Sequence, residues 1–141
     1  MGTRAHKLTP RYLALSTRLF LAFVAVLGLF SFLEAPEASR SYGVEFSRGG
    51  WTVLVLFLVS LTNVTVTRLL VLPNLRRRQD ATLDRIAFTG YSLAITPSIY
   101  GLAGAILTGE GWVSLPFTLL SLFALVDLRF YVAALDEQGP R

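Results

Sequence analysis

The side chains that could do chemistry inside this apolar sequence are a few isolated charges. Arg18, Arg68 and Asp127 each lie within a long apolar stretch. A charge in that setting needs a counter-charge or access to water, and such residues often mark ion or proton pathways. Arg18 and Asp127 lie about 10 Å from the same end of their stretches. The sequence therefore predicts an ion pair between them, structural rather than proton-relaying, with Arg68 as the alternative partner for Asp127.

Residues for other kinds of chemistry are scarce. The chain has no cysteine, and its one histidine, His6, precedes the apolar stretches. We therefore predict no metal site, no catalytic residue set and no cofactor bound by the chain's own side chains. Ser60, Asn63 and Thr67 share one face of the second apolar stretch. Hydrogen bonding between helices is the favoured interpretation of these groups, and contact with a quinone or a lipid headgroup is the alternative.

These residues must be positioned by membrane-spanning helices. Apolar residues make up 53% of the chain and fall into blocks at about 12–33, 51–72, 86–108 and 112–134. A helix of about 20 residues crosses the hydrocarbon core of a bilayer. The sequence predicts an all-α, polytopic membrane protein, a single integral membrane domain over 1–141 with four transmembrane helices in two antiparallel hairpins. In such an up-down bundle the first and fourth helices are neighbours.

The basic residues predict the orientation of these helices. They cluster before the first block and between the second and third blocks, as Arg4, Lys7, Arg11, Arg76, Arg77, Arg78 and Arg85. Positively charged loops stay in the cytoplasm, so both termini and the 73–85 loop are predicted to be cytoplasmic, in a bacterial inner membrane. Nucleic-acid binding is disfavoured because these arginines flank apolar blocks. Arg76, Arg77 and Arg78 are predicted instead to contact anionic lipid headgroups.

Small residues predict where helices touch. In the third block they recur on one helical face, as Gly90, Ala94, Pro97, Gly101, Gly104 and Ala105, and in the first block as Ala22, Ala25 and Gly28. Small side chains let two helix backbones approach closely in lipid. Both faces are therefore predicted to be helix contacts. Pro97 cannot donate to the helix ladder, which predicts a kink just before it.

One hairpin resembles a known family. Residues 76–80, Arg-Arg-Arg-Gln-Asp, followed by Ile99-Tyr100-Gly101-Leu102, look like the polar loop and second helix of the proteolipid (c) subunit of rotary ATP synthases. The resemblance covers about residues 54–108. It implies a c-like hairpin, but the family's essential carboxylate falls on Ile95. The second block also lacks the glycine repeat of the family's partner helix. The resemblance therefore argues against ion translocation.

Together these features predict a non-enzymatic role. The favoured function is a small accessory subunit of a larger bacterial membrane complex, respiratory or photosynthetic, that packs through its small-residue faces. Its expected partners are membrane lipids and either other subunits or copies of itself, with possible lipid or quinone contact. The alternative is a divergent proteolipid-like channel or transporter component, for which Arg18, Asn63, Thr67 and Asp127 are the candidate polar path.

Overall fold

The fold is helical throughout the residues that the computed structural model describes, which are 10–42, 46–77 and 83–137. The helices are α1 (Pro10–Tyr42), α2 (Phe46–Val66), α3 (Leu72–Arg77), α4 (Leu83–Ala94), α5 (Thr96–Thr108) and α6 (Ser114–Glu137). A π-helical turn, Thr67–Val71, joins α2 to α3, and a short 3-10 turn, Gly111–Val113, leads into α6. These elements form four rods, namely α1, α2–α3, α4–α5 and α6, and the predicted all-α class is confirmed.

Three of these rods are long and apolar enough to cross a membrane. They are Gly50–Arg77 with 28 residues, Leu83–Thr108 with 26 and Gly111–Leu135 with 25. The apolar stretch in α1, Leu15–Ser31, is shorter. Large apolar side chains point outward from the bundle, among them Trp51 at 73% exposure and Phe130 at 71%. An outer surface of this kind suits lipid rather than water, so the chain has transmembrane character.

The rod formed by α4 and α5 is the centre of the bundle. Helix α5 packs against α1, α2 and α6, and α4 packs against α6. The face predicted from small residues is the buried one, since the structure buries Gly90, Ala94, Pro97, Gly101, Gly104 and Ala105. A narrow central helix can therefore contact three neighbours at once.

The glycines of this rod lie where side chains would not fit. A Cβ at Gly101 would lie 2.7 Å from Phe117 Cβ, and one at Gly90 would lie 2.7 Å from Leu128 Cδ1. At Gly104 the nearest atom would be Val53 Cγ2, 3.3 Å away. The Gly101 contact is the least adjustable of the three, because Phe117 Cβ is fixed by its own backbone.

The central rod is interrupted at the position that Pro97 predicts. Helix α4 ends at Ala94, Ile95 lies between the helices, and Pro97 falls in the first turn of α5. The Ser98 N–H donates both to Ile95 O at 3.0 Å and to Ser121 Oγ of α6 at 3.0 Å. A hydroxyl from the neighbouring helix thus shares in satisfying backbone at the break.

Helix α1 packs on the central rod and on α6, so the first and fourth rods are neighbours as predicted. Thr17 Oγ1 and Tyr91 OH are hydrogen-bonded at 2.8 Å, and the rings of Phe20 and Tyr91 stack with centroids 5.1 Å apart. These contacts turn the face carrying Thr17, Val24 and Ser31 inward, where all three are buried.

The small-residue face predicted for the first block mostly points away from the bundle. Ala22 and Ala25 are exposed, while Gly28 is half-buried beside Thr118. Within this chain the predicted helix contact at Ala22 and Ala25 is therefore not made. The outward side carries Arg18 beside Ala22 and Ala25, and the inward side carries Thr17, which is hydrogen-bonded to Tyr91.

Helices α5 and α6 are joined by a tight connection. Gly109 has a φ of 72°, in the left-handed region that favours glycine, and its N–H donates to Ala105 O at 2.8 Å. Trp112 Nε1 donates to Glu110 Oε2 at 3.0 Å. The two helices therefore form an antiparallel hairpin with a short, defined turn.

We expect Gly101→Ala to destabilise the protein by about 1–2 kcal/mol, because overpacking against Phe117 exceeds the gain in helix propensity. Gly50→Ala is the matched control, since nothing lies within 4 Å of a Cβ there. Denaturant titration of both variants in detergent micelles measures the difference. Equal stability of the two variants would contradict the close approach.

Candidate functional site

The charged centre of the structure is an ion pair between the second and fourth rods. Arg68 Nε lies 2.8 Å from Asp127 Oδ2, and the two side chains are 41% and 37% exposed. The Arg68 guanidinium carbon also lies 4.6 Å from the centroid of the Tyr131 ring. Asp127 and the aromatic ring together hold the guanidinium in one place.

This geometry corrects the predicted pairing of Arg18 with Asp127. Asp127 pairs with Arg68, the alternative partner, and Arg18 is exposed on α1. Among residues 10–42, 46–77 and 83–137, Arg18 has no ion-pair partner. Arg18 points outward because the inward face of α1 is the one that carries Thr17, and Arg18 lies about 100° from Thr17 around the helix.

The π-helical turn brings Arg68 and its neighbours to this position. Leu72 N–H donates to Thr67 O, a hydrogen bond that spans five residues instead of four. In a regular α-helix Leu72 would lie about 140° around the axis from Thr67. The wider turn brings Leu72 back to the inner side, where both residues are buried. Single π turns inside α-helices are frequent at functional sites, although their presence alone assigns no function.

An apolar cavity of about 240 Å³ lies beside the ion pair. Arg68, Asp127 and Thr67 supply its polar groups, and most of the remaining lining is apolar: Val64, Thr65, Leu69, Leu72, Gly90, Leu93, Ala94, Phe123, Ala124 and Leu128. Leu69 and Phe123 are 65% and 68% exposed. The cavity therefore adjoins the apolar outer surface of the bundle, between α2, α4 and α6.

Thr67 is one of the residues that line this cavity, and it carries an unsatisfied hydroxyl that is itself buried. Its Oγ1 is buried and has no hydrogen-bond partner, and the residue as a whole is 9% exposed. Most threonine and serine hydroxyls of the neighbouring turns bond the carbonyl four residues back, as Ser60 does to Leu56 O at 2.8 Å. An unpaired buried hydroxyl costs stability, so this position is less favourable than those of the locally bonded hydroxyls.

Other hydroxyl groups of the bundle make two kinds of hydrogen bond. Bonds between helices are made by Thr17 with Tyr91 and by Ser121 with the backbone of Ser98. Ser60 and Thr118 bond carbonyls of their own helices. Ser60, for which bonding between helices was the favoured interpretation, is therefore satisfied within its own helix.

The arginines predicted to contact lipid headgroups lie at one end of the second rod. Arg76 and Arg77 are exposed in the last turn of α3, and Arg78 lies outside the described residues. Cations in the last turn of a helix interact favourably with its dipole. Headgroup contact by the three arginines stays a prediction.

Comparison with known proteins gives no relative. No protein-family model, no curated protein and no solved structure matches this chain. Within the described ranges, no group of three or more histidine, cysteine, aspartate or glutamate side chains could hold a metal ion.

We expect Thr67→Val to leave the purified protein as stable as the wild type or to stabilise it by about 1 kcal/mol, because the change removes a buried unpaired hydroxyl at constant shape. Thr17→Val is the matched comparison and should destabilise by about 1 kcal/mol, since it leaves Tyr91 OH without this partner. Thermal unfolding in one detergent measures both. A loss of stability in Thr67→Val as large as in Thr17→Val would show that Thr67 has a partner within the protein.

Proposed function

We propose that this chain is a small, non-catalytic accessory subunit of a larger membrane complex in the bacterial inner membrane, respiratory or photosynthetic. It spans the membrane four times, with both termini in the cytoplasm. Helix α1 forms the first span, and its apolar stretch, Leu15–Ser31, is shorter than the other three. The basic residues near the start of α1 and around the connection between the second and third rods support this orientation.

The observation that carries the proposal is the open face of α1. Arg18, Ala22 and Ala25 are all exposed, and the spacing of 18, 22 and 25 places them on one side of the helix. The bundle itself uses the other side of α1. Small residues allow close approach of a second helix, and a cation among apolar neighbours is stabilised by an acidic residue on that helix. A helix of another subunit satisfies both requirements.

The remaining outer surface supports the same role. Its exposed side chains on α6 are large and apolar, for example Leu119, Phe123 and Phe130. Such a surface packs against lipid or against apolar helices of other subunits. The Arg68–Asp127 pair joins two rods and neutralises a positive and a negative charge between them, which suits a structural component.

We expect Ala22→Leu to detach the protein from its partner, because the added bulk separates the two helices by more than their packing tolerates. Native mass spectrometry of the protein extracted from its own membrane in mild detergent measures the assembly. Val59→Leu is the control, since Val59 is 45% exposed and lies on α2 rather than on α1. Recovery of the wild type as a monomer, or equal assembly of both variants, would overturn the proposal.

Transport is the second candidate function, as a divergent proteolipid-like channel or transporter component. The half-exposed ion pair beside a cavity is the observation that favours it, because transport needs a polar element within the spans. Ile95, at the position that corresponds to the family's carboxylate, argues against it.

Asp127→Asn separates the two functions. An accessory subunit should lose stability and assembled complex, because Arg68 is left without its counter-charge. A transporter should still assemble and lose flux instead. Assembly is read by native mass spectrometry, and flux by ion or proton uptake into vesicles containing the purified protein.

A further inference from the structure

Helices α1 and α6 are held in register at two points. Near one end of α1, Thr17 is hydrogen-bonded at 2.8 Å to Tyr91, which lies in the turn of α4 that contacts Leu128 of α6. Further along α1, a Cβ at Gly28 would lie 3.4 Å from Thr118 Oγ1 of α6. Residue numbers rise along α1 and fall along α6 between these points. The two helices are therefore antiparallel, and Thr17 is level with Leu128.

This register places two exposed arginines, Arg18 of α1 and Arg129 of α6, at the same level. Arg129 is about 20° around α6 from Thr118, so it lies on the side of α6 that faces α1. Its charge also acts on Tyr91, the residue that bonds α1. Arg18 is about 80° around α1 from Gly28, on the outer flank. Both guanidinium groups therefore border the outer groove between α1 and α6.

The two arginines lack a counter-charge. Neither Arg18 nor Arg129 forms an ion pair in the part of the chain that the structure describes. Asp127 is close to Arg129 in sequence, but it lies about 160° away around α6 and pairs with Arg68. Two cations at one level of an apolar surface repel each other, and each is costly without a partner. A negatively charged group in the groove would remove both costs.

Depth favours a protein carboxylate over a lipid phosphate. Asp127 pairs with Arg68, and Arg77 ends the second rod nine positions beyond Arg68, about 13 Å along the axis. Arg129 follows Asp127 by two positions, about 3 Å, toward the same end. Arg129 is therefore about 10 Å inside the level of Arg77, which is more than the length of an arginine side chain. Headgroups that gather at the end of the second rod would not reach this level.

The surface beside Arg18 determines the form of the anion. Ala22 and Ala25 are exposed on the next two turns of α1, where small side chains let a second helix backbone approach closely. A carboxylate has two oxygens and can accept hydrogen bonds from two guanidinium groups at once. A transmembrane helix that carries an aspartate or a glutamate matches both features.

We propose that Arg18 and Arg129 together bind one carboxylate on a transmembrane helix of the partner subunit. That helix lies in the outer groove between α1 and α6, with its acidic residue level with the two arginines and small residues beside Ala22 and Ala25. This inference rests on the proposed accessory function and specifies the chemistry of its partner. Because the two arginines belong to different rods, recognition requires the assembled bundle rather than α1 alone.

The test measures which helix the full chain recognises. The chain has no cysteine, so Leu54→Cys on α2, at a position 47% exposed and outside the groove, carries a single donor dye. The purified protein is placed in nanodiscs of zwitterionic lipid with a synthetic leucine–alanine helix of about 22 residues that carries an acceptor dye. One such helix has a glutamate about 10 Å from one end, and the matched helix has a glutamine there. Energy transfer between the dyes gives the affinity of each.

We expect the glutamate helix to bind about five- to tenfold more tightly than the glutamine helix, because charge-assisted hydrogen bonds are stronger than neutral ones. Arg18→Gln and Arg129→Gln should each lower this preference to about twofold or less, since one of the two cations is lost. Arg77→Gln, which removes an exposed arginine outside the groove, should leave the preference unchanged. A variant that only disturbs the bundle would weaken the binding of both helices and keep their ratio.

Any of three results would contradict the inference. The first is equal binding of the two helices, or binding of neither, by the protein with both arginines. The second is a glutamate preference that Arg129→Gln leaves unchanged. The third is displacement of the glutamate helix by phosphatidylglycerol, with lipid adducts in native mass spectrometry that Arg18→Gln and Arg129→Gln abolish, which would assign the groove to a lipid headgroup. Failure of the accessory role appears instead as a wild-type monomer extracted from its own membrane, and the helix titrations do not depend on that result.

Discussion

The structure depends on how closely neighbouring helices approach the central rod. At Gly101 the distance left for a side chain is so short that an added Cβ would meet Phe117 Cβ at 2.7 Å. In lipid there is little hydrophobic gain from bringing helices together, so packing contacts and hydrogen bonds between helices must supply the stability. The small face of α4 and α5 maximises those contacts. It lets one helix serve as the common surface for α1, α2 and α6.

Most polar side chains within this packing bond the backbone of another helix, bond a side chain of another helix, or pair with an opposite charge. Ser121 bonds the backbone at the break beside Pro97, and Tyr91 bonds Thr17 across to α1. Arg68 and Asp127 neutralise one another between the second and fourth rods. The buried hydroxyls of Thr67 and Ser98 are exceptions, since neither oxygen has a hydrogen-bond partner in the described part of the chain.

The sequence predicts the elements of this fold better than the details of the site. Regular spacing of small residues identifies the buried face of α4 and α5, and Pro97 identifies the break, because both follow from backbone geometry. The ion pair was assigned to Arg18 on the basis of depth along the helix, whereas Arg68 forms it. Depth does not say which way a side chain points. On α1 the small residues predict a helix contact on the side with Ala22, yet the bundle buries the side with Val24. The side with Ala22 also carries Arg18, and a charge is costly to bury without a partner. The π turn was not predicted, because helical spacing assumes one constant angle per residue.

The turn between α5 and α6 has a consequence for how the protein is made. Gly109 closes a hairpin whose helices are adjacent in sequence, so they can pair as soon as both have entered the membrane. Helix α1 is synthesised first, yet its partners arrive late, since Thr17 and Tyr91 are 74 positions apart. The inward face of α1 therefore stays uncovered until α4, which carries Tyr91, has been made.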